Sequence, residues 1–79
     1  MVHELKTWPE HFQLVWNREK KFEVRKKDRP FSVGDKLFLK EYDPQTHEYT
    51  GRQFNVEVTH ILHGGVFGVE KGFCVMSIE

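Results

Sequence analysis

Lys20, Glu23 and Arg25 place an amine, a carboxylate and a guanidinium within one short segment. Two cations beside one anion can hold a phosphate or a base carbonyl while the carboxylate accepts from an exocyclic amine. The same set could move protons, with Glu23 as general base beside Lys20. Either use requires rigid backbone beneath the side chains. From Lys21 to Arg25 polar and apolar residues alternate, which predicts a β-strand with Phe22 and Val24 on one face and Lys21, Glu23 and Arg25 on the other. Lys20 stands just before that strand, one short bend from its polar face.

Upstream, Leu5 and its neighbours form a first short strand. Thr7-Trp8-Pro9-Glu10 fits a capping box, with Thr7 as N-cap, Glu10 reaching back to it and Pro9 tolerated in the first turn. Trp8, Phe12, Val15 and Trp16 follow at helical spacing and are expected to pack on a sheet. Lys26-Lys27-Asp28-Arg29-Pro30 breaks the second strand, and Val33-Gly34-Asp35 turns into a third over Lys36 to Tyr42, with Leu37 and Leu39 inward. Asp43-Pro44 opens a hairpin loop and Gly51 marks its return. Arg52 to Leu62 reads as a long strand with Phe54, Val56 and Val58 on one face. After a flexible connection with Gly64, Gly65, Gly68 and Gly72, Phe73 to Ile78 is largely apolar on both faces. The expected architecture is mostly β with one main helix, of the α+β class: a small, mostly antiparallel barrel with a helix across one opening.

Seventy-nine residues make one domain, 1–79, near the small end of what folds without staples. Seven phenylalanines and two tryptophans make an apolar core feasible. The single Cys74 excludes an intrachain disulfide and a multi-cysteine zinc site, which suits a reducing cytoplasm. No apolar run reaches the roughly 20 residues that span a bilayer, and the start of the chain lacks a signal-peptide pattern. Net charge is zero but segregated. Residues 18–29 hold seven Lys or Arg against three acids, whereas residues 41–79 hold two against six. The first of these stretches would attract phosphates if the fold gathers it on one surface.

Other constellations carry less. His60 and His63 have a metal-compatible spacing but no further ligand nearby, so no metal site is assigned. Cys74 sits in an apolar strand and reads as an inert thiol. Ser32 and Ser77 lack a nucleophile-elbow context. His63-Gly64-Gly65 leads into neither a lysine-serine pair nor a helix, so no phosphate loop is present. No motif points to a cofactor. Lys6, Arg29 and Arg52 are candidates to extend a positive rim, and Tyr42 or Phe38 to stack on an unpaired base.

The segment Arg18-Glu19-Lys20-Lys21-Phe22-Glu23-Val24-Arg25 resembles the signature of the ASCH domain (activating signal cointegrator homology), a branch of the PUA-like group. That signature reads roughly G-x-K-x-x-E-x-R, and Lys20, Glu23 and Arg25 match it while Arg18 replaces the glycine. His3-Glu4-Leu5-Lys6, Asp28-Arg29-Pro30-Phe31, Val33-Gly34-Asp35 and Tyr49-Thr50-Gly51-Arg52 look like the short bacterial and phage-borne members. The resemblance implies a PUA-like barrel and a module that binds RNA or a nucleotide-like small molecule in a cleft between helix and barrel. It also implies an alternative, an amidohydrolase that deacetylates an acetylated cytidine. Such enzymes carry a lysine at the position of Lys20, a threonine at that of Glu23, and a glutamate far later in the chain, where Glu70 is the only acid before the last strand. A third reading is a protein-interaction module in transcription or phage regulation.

Overall fold

A computed structural model describes residues 1–79. The order of elements is β1 (Val2–Thr7), α1 (Pro9–Trp16), β2 (Phe22–Lys26), β3 (Lys36–Asp43), β4 (Glu48–His63) and β5 (Phe73–Ile78). The five strands form one sheet in the order β1-β3-β4-β5-β2. All neighbours are antiparallel except β1 and β3, which run parallel with Leu5 opposite Leu39. A parallel pair needs a long crossover, and α1 and β2 supply it.

Alternation places Leu5 on β1, Leu37 and Leu39 on β3, Val56 and Val58 on β4, and Cys74, Met76 and Ile78 on β5 on the inner face. Phe12 and Val15 of α1 close the core from above, and Phe31 enters from the loop before β3. Cys74 is wholly buried, and burial pushes its thiol pKa up, with Lys27 opposing the shift. β5 is flanked on both sides by strands, but its outward Ser77 is exposed.

The sheet is open, not a closed barrel, because no backbone ladder joins β1 to β2. Two arginines span that seam instead. Arg25 Nη2 donates to the Lys6 carbonyl at 3.0 Å, and Arg29 Nη1 donates to the Glu4 carbonyl at 3.2 Å. Carbonyls on the free edge of β1 that would otherwise be a pairing template are thereby occupied.

Several local expectations are corrected. Trp8, not Thr7, is the N-cap of α1, and no side-chain cap bond forms. Thr7 is instead the last residue of β1, buried, with its hydroxyl donating to the Leu5 carbonyl. Trp8 and Trp16 are half exposed rather than packed under the helix. The strand after the hairpin begins at Glu48, so Gly51 lies inside β4. There, at φ +95°, it forms a bulge between the pairs Lys40–Gln53 and Tyr42–Tyr49. The glycine-rich connection after β4 is held by backbone bonds, among them Gly64 N–H to the Phe73 carbonyl at 2.8 Å and Gly65 N–H to the Val69 carbonyl at 2.7 Å.

The turn into β3 carries a buried polar knot. Asp35 accepts from His3 Nε2 at 2.8 Å and from the Ser32 N–H at 3.0 Å, while the His3 ring meets Phe31 edge-on at 4.8 Å. The His3 bond, then the Ser32 N–H and the Met1 amine, hold the Asp35 carboxyl below its ordinary value of 3.8 despite the opposing effect of burial. A folded-state pKa below the unfolded one gives stability that is present above the unfolded value and lost as pH falls through the folded one. Asp35→Asn is therefore expected to flatten the acid-unfolding curve below about pH 4. Circular dichroism across that range checks this; an unchanged acid limb would contradict it.

Candidate functional site

β2 is a strand, and its two faces separate as the alternation predicts, with the polar one buried. Phe22 and Val24 are 45% and 50% exposed, whereas Glu23 is 3% exposed and Arg25 half-buried. The polar face of β2 turns inward, toward β1 and α1. After α1 the chain bends back on itself, with the N–H groups of Glu19 and Lys20 both bonded to the Leu14 carbonyl. That bend brings Lys20 over the inward face of β2.

The three sequence-predicted residues converge. Arg25 Nε donates to Glu23 Oε2 at 2.9 Å, and Lys20 Nζ lies 4.0 Å from Glu23 Oε1. Arg25 Nη2 reaches the Lys6 carbonyl and, at 3.3 Å, the Thr7 hydroxyl, so Arg25 is committed to holding Glu23 and β1 in place. Glu23 Oε1 is buried and has no hydrogen-bond partner. An unpaired buried carboxylate oxygen is costly, and a native fold that keeps one has usually a use for it.

A hollow of about 720 Å³ adjoins this group. Lys20, Glu23 and Arg25 share it with His11, and Trp8, Leu14, Phe22 and Val24 provide apolar lining. His11 is the functional candidate that sequence reasoning missed. Its Nδ1 lies 3.3 Å from Lys20 Nζ. Trp8, His11 and Leu14 recur at three-residue spacing, a second stripe on α1 beside the core stripe, and that was the available signal.

Of the remaining candidates, Lys6 also lines this hollow, and Arg29, Tyr42 and Arg52 lie elsewhere. The side chain of Lys6 is on the outer face of the sheet, its Nζ 4.2 Å from the centre of the Tyr42 ring, and Tyr42 meets Tyr49 edge-on at 5.1 Å. Arg29 is occupied by the Glu4 carbonyl and lies 3.6 Å from Asp28. Arg52 grips buried Glu41 through Nε at 3.1 Å and Nη2 at 3.0 Å, reaches Gln13 at 2.8 Å, and lies over the rings of Phe12 and Trp16. Thr50 also donates to Glu41, at 2.6 Å, from the far side of the β4 bulge. The Arg52 bond, with Thr50 adding, holds the Glu41 carboxyl below its ordinary 4.5 against the effect of burial, and Glu41 raises Arg52 in turn. This cluster ties β3, β4 and α1 together. Glu70 lies in the β4–β5 connection, near the Lys26–Phe73 end of the β2–β5 ladder, whereas Lys20 precedes its Phe22–Ser77 end. His60 and His63 are both exposed.

With this site in place, the comparisons with known proteins define the chain at the level of family. Residues 2–78 match the family described as a domain of unknown function (DUF3850), and the chain belongs to it. It is also similar to an uncharacterized 12.9 kDa protein in the GpA 3′ region of Escherichia phage P2, being 37% identical over 60 residues. The match covers 76% of this chain and 53% of that protein, so the chain spans about half the length of the curated relative it matches. No helix is long and apolar enough to cross a membrane.

Proposed function

We propose that the chain is an RNA- or nucleotide-binding module of the ASCH type, acting through the hollow around Glu23. The observation that carries this reading is the buried, unpartnered Glu23 Oε1 with Lys20 Nζ beside it. An acceptor next to a donor complements the edge of a nucleobase, where amino or imino donors alternate with carbonyl or ring-nitrogen acceptors. The apolar lining from Trp8, Phe22 and Val24 suits the flat faces of such a ring. Arg25 acts as a positioning residue: it holds Oε2 and leaves Oε1 free of a hydrogen bond. The finer architectural reading, a PUA-like barrel, is supported by the arginine-bridged seam between β1 and β2, which brings the sheet's two edges together without a ladder.

The test is fluorescence anisotropy with a short labelled single-stranded RNA across a salt series. Binding is expected to weaken as salt rises, with a log–log slope of about −0.7 for each phosphate neutralised. Lys20→Ala should reduce affinity roughly tenfold, the scale of one hydrogen bond to a charged group. No binding of RNA or nucleotides, or binding indifferent to Lys20→Ala, overturns the reading.

A second reading is kept by one observation: Lys20 Nζ is flanked by His11 Nδ1 and Glu23 Oε1, a set of proton acceptors around an amine. That arrangement supports an amidohydrolase acting on an acetylated cytidine, for which released cytidine is the assay. The position of Glu70, at the far end of the β2–β5 ladder, does not supply the distant glutamate that the resemblance implies.

A further inference from the structure

A second hollow, of about 560 Å³, opens on the other side of Lys20, between the end of α1 and strands β4 and β5. Lys20 lines both hollows. Arg18 and Lys21 join it in the second, with Glu79 as the one acid. Trp16 and Phe54, edge-to-face at 5.2 Å, form its aromatic wall, and Trp16 is 49% exposed.

The basic residues of segment 18–29 are thus divided by use. Arg25 and Arg29 are turned onto the β1 edge. Arg18 and Lys21 engage no carboxylate and make no side-chain hydrogen bond, although the groups beside them do. Arg18 also holds φ +63°, a left-handed conformation that glycine reaches freely and other residues adopt at a cost. That conformation ends α1, with the Arg18 N–H donating to the Val15 carbonyl at 3.0 Å and the Glu19 N–H to the Leu14 carbonyl at 3.0 Å, and it leaves the guanidinium unpaired beside the cavity.

We infer that the second hollow is a subsite for the next nucleotide of the same strand. With one base on Glu23, the phosphodiester passes Lys20, the neighbouring phosphate meets Arg18 and Lys21, and the second base lies against Trp16. The ligand is a single strand of at least two linked nucleotides, not an isolated nucleoside. This rests on the reading of the first hollow, and it adds a length requirement and a second set of contacts.

Isothermal titration with nucleosides, dinucleotides and a short single-stranded RNA tests it, on the native chain and on Arg18→Gln/Lys21→Gln. Both substituted side chains are exposed, and a thermal melt of the double variant confirms that the fold is kept. The native chain is expected to prefer a dinucleotide over a nucleoside by at least about tenfold, from one stacked base and its phosphate. In the double variant that preference falls toward one, and the salt slope for RNA becomes shallower by about 1.4, at about 0.7 for each charge removed. Trp16→Ala should reduce the dinucleotide preference without changing the salt slope. Equal affinity for nucleoside and dinucleotide, or a double variant with the native preference and slope, overturns the second subsite while leaving the first. Failure of every nucleic acid ligand to bind overturns both.

Discussion

Glu23→Gln should abolish most ligand binding while leaving the domain folded. The two effects separate because of how the carboxylate is held. Oε2 has a partner, Arg25 Nε, and the amide oxygen of Gln can take over that bond. Oε1 has none, so the substitution breaks no native hydrogen bond there. It removes a buried charge whose desolvation opposes folding, and this offsets part of the loss of the ion pairs to Arg25 and Lys20. A ligand donor that met Oε1 would instead meet a neutral amide, and an NH₂ group in that place repels a donor. Loss of a hydrogen bond to a charged group corresponds to about 1.5–3 kcal/mol, or roughly ten- to hundredfold in affinity. Anisotropy with single-stranded RNA and a thermal melt on the same preparation read both quantities. A variant that binds as the native chain does would remove Glu23 from the site; one that binds poorly only because it has unfolded would make its role structural.

Phe12→Ala is expected to have the largest effect on stability. Phe12 is fully buried, 5.2 Å from the Phe54 ring in edge-to-face geometry and 6.0 Å from Trp16, and the Arg52 guanidinium lies 4.9 Å above it. Truncating a buried Phe costs about 3–5 kcal/mol in lost burial and in the cavity left behind. A domain of this length has a total stability on the order of 4–12 kcal/mol. The midpoint of thermal unfolding should therefore fall by about 12–40 °C, and the variant is expected to be partly unfolded at room temperature. Helix α1 has eight residues and cannot persist in water unless its apolar stripe is docked. Both hollows lie against α1, so binding should disappear with the helix. A loss of only a few degrees would mean that α1 is anchored mainly by the Arg52–Glu41 cluster.

Most of the elements were legible in the sequence, and their relations less so. Period-two alternation located the strands, including the inward positions of Leu37, Leu39, Val56 and Val58, because one side of each strand is plainly apolar. The same rule separated Phe22 and Val24 from Glu23 and Arg25 on β2, without saying which of the two faces is buried. Here a carboxylate takes the buried face, because an arginine two residues later satisfies one of its oxygens. Lys20, Glu23 and Arg25 were legible as a group since all lie on one strand and the bend before it. His11 was not, because its approach to Lys20 depends on how α1 docks. Arg52 was legible as a cation but not as the partner of Glu41, since a bulge at Gly51 sets that register and bulges leave little trace in hydrophobic pattern. The parallel pairing of β1 with β3 is a topological choice that local residues do not encode. Thr7-Trp8-Pro9-Glu10 has the letters of a capping box, yet the strand claims Thr7 first.

Arg25 has one hand on the acid in the hollow and another on the rim of the first strand. Whatever pulls on that acid is transmitted, through a single planar cation, to the place where the sheet comes nearest to joining its own ends. One side chain thus joins the buried acid to the free edge of β1. Replacing that side chain would release the acid and the Lys6 carbonyl together.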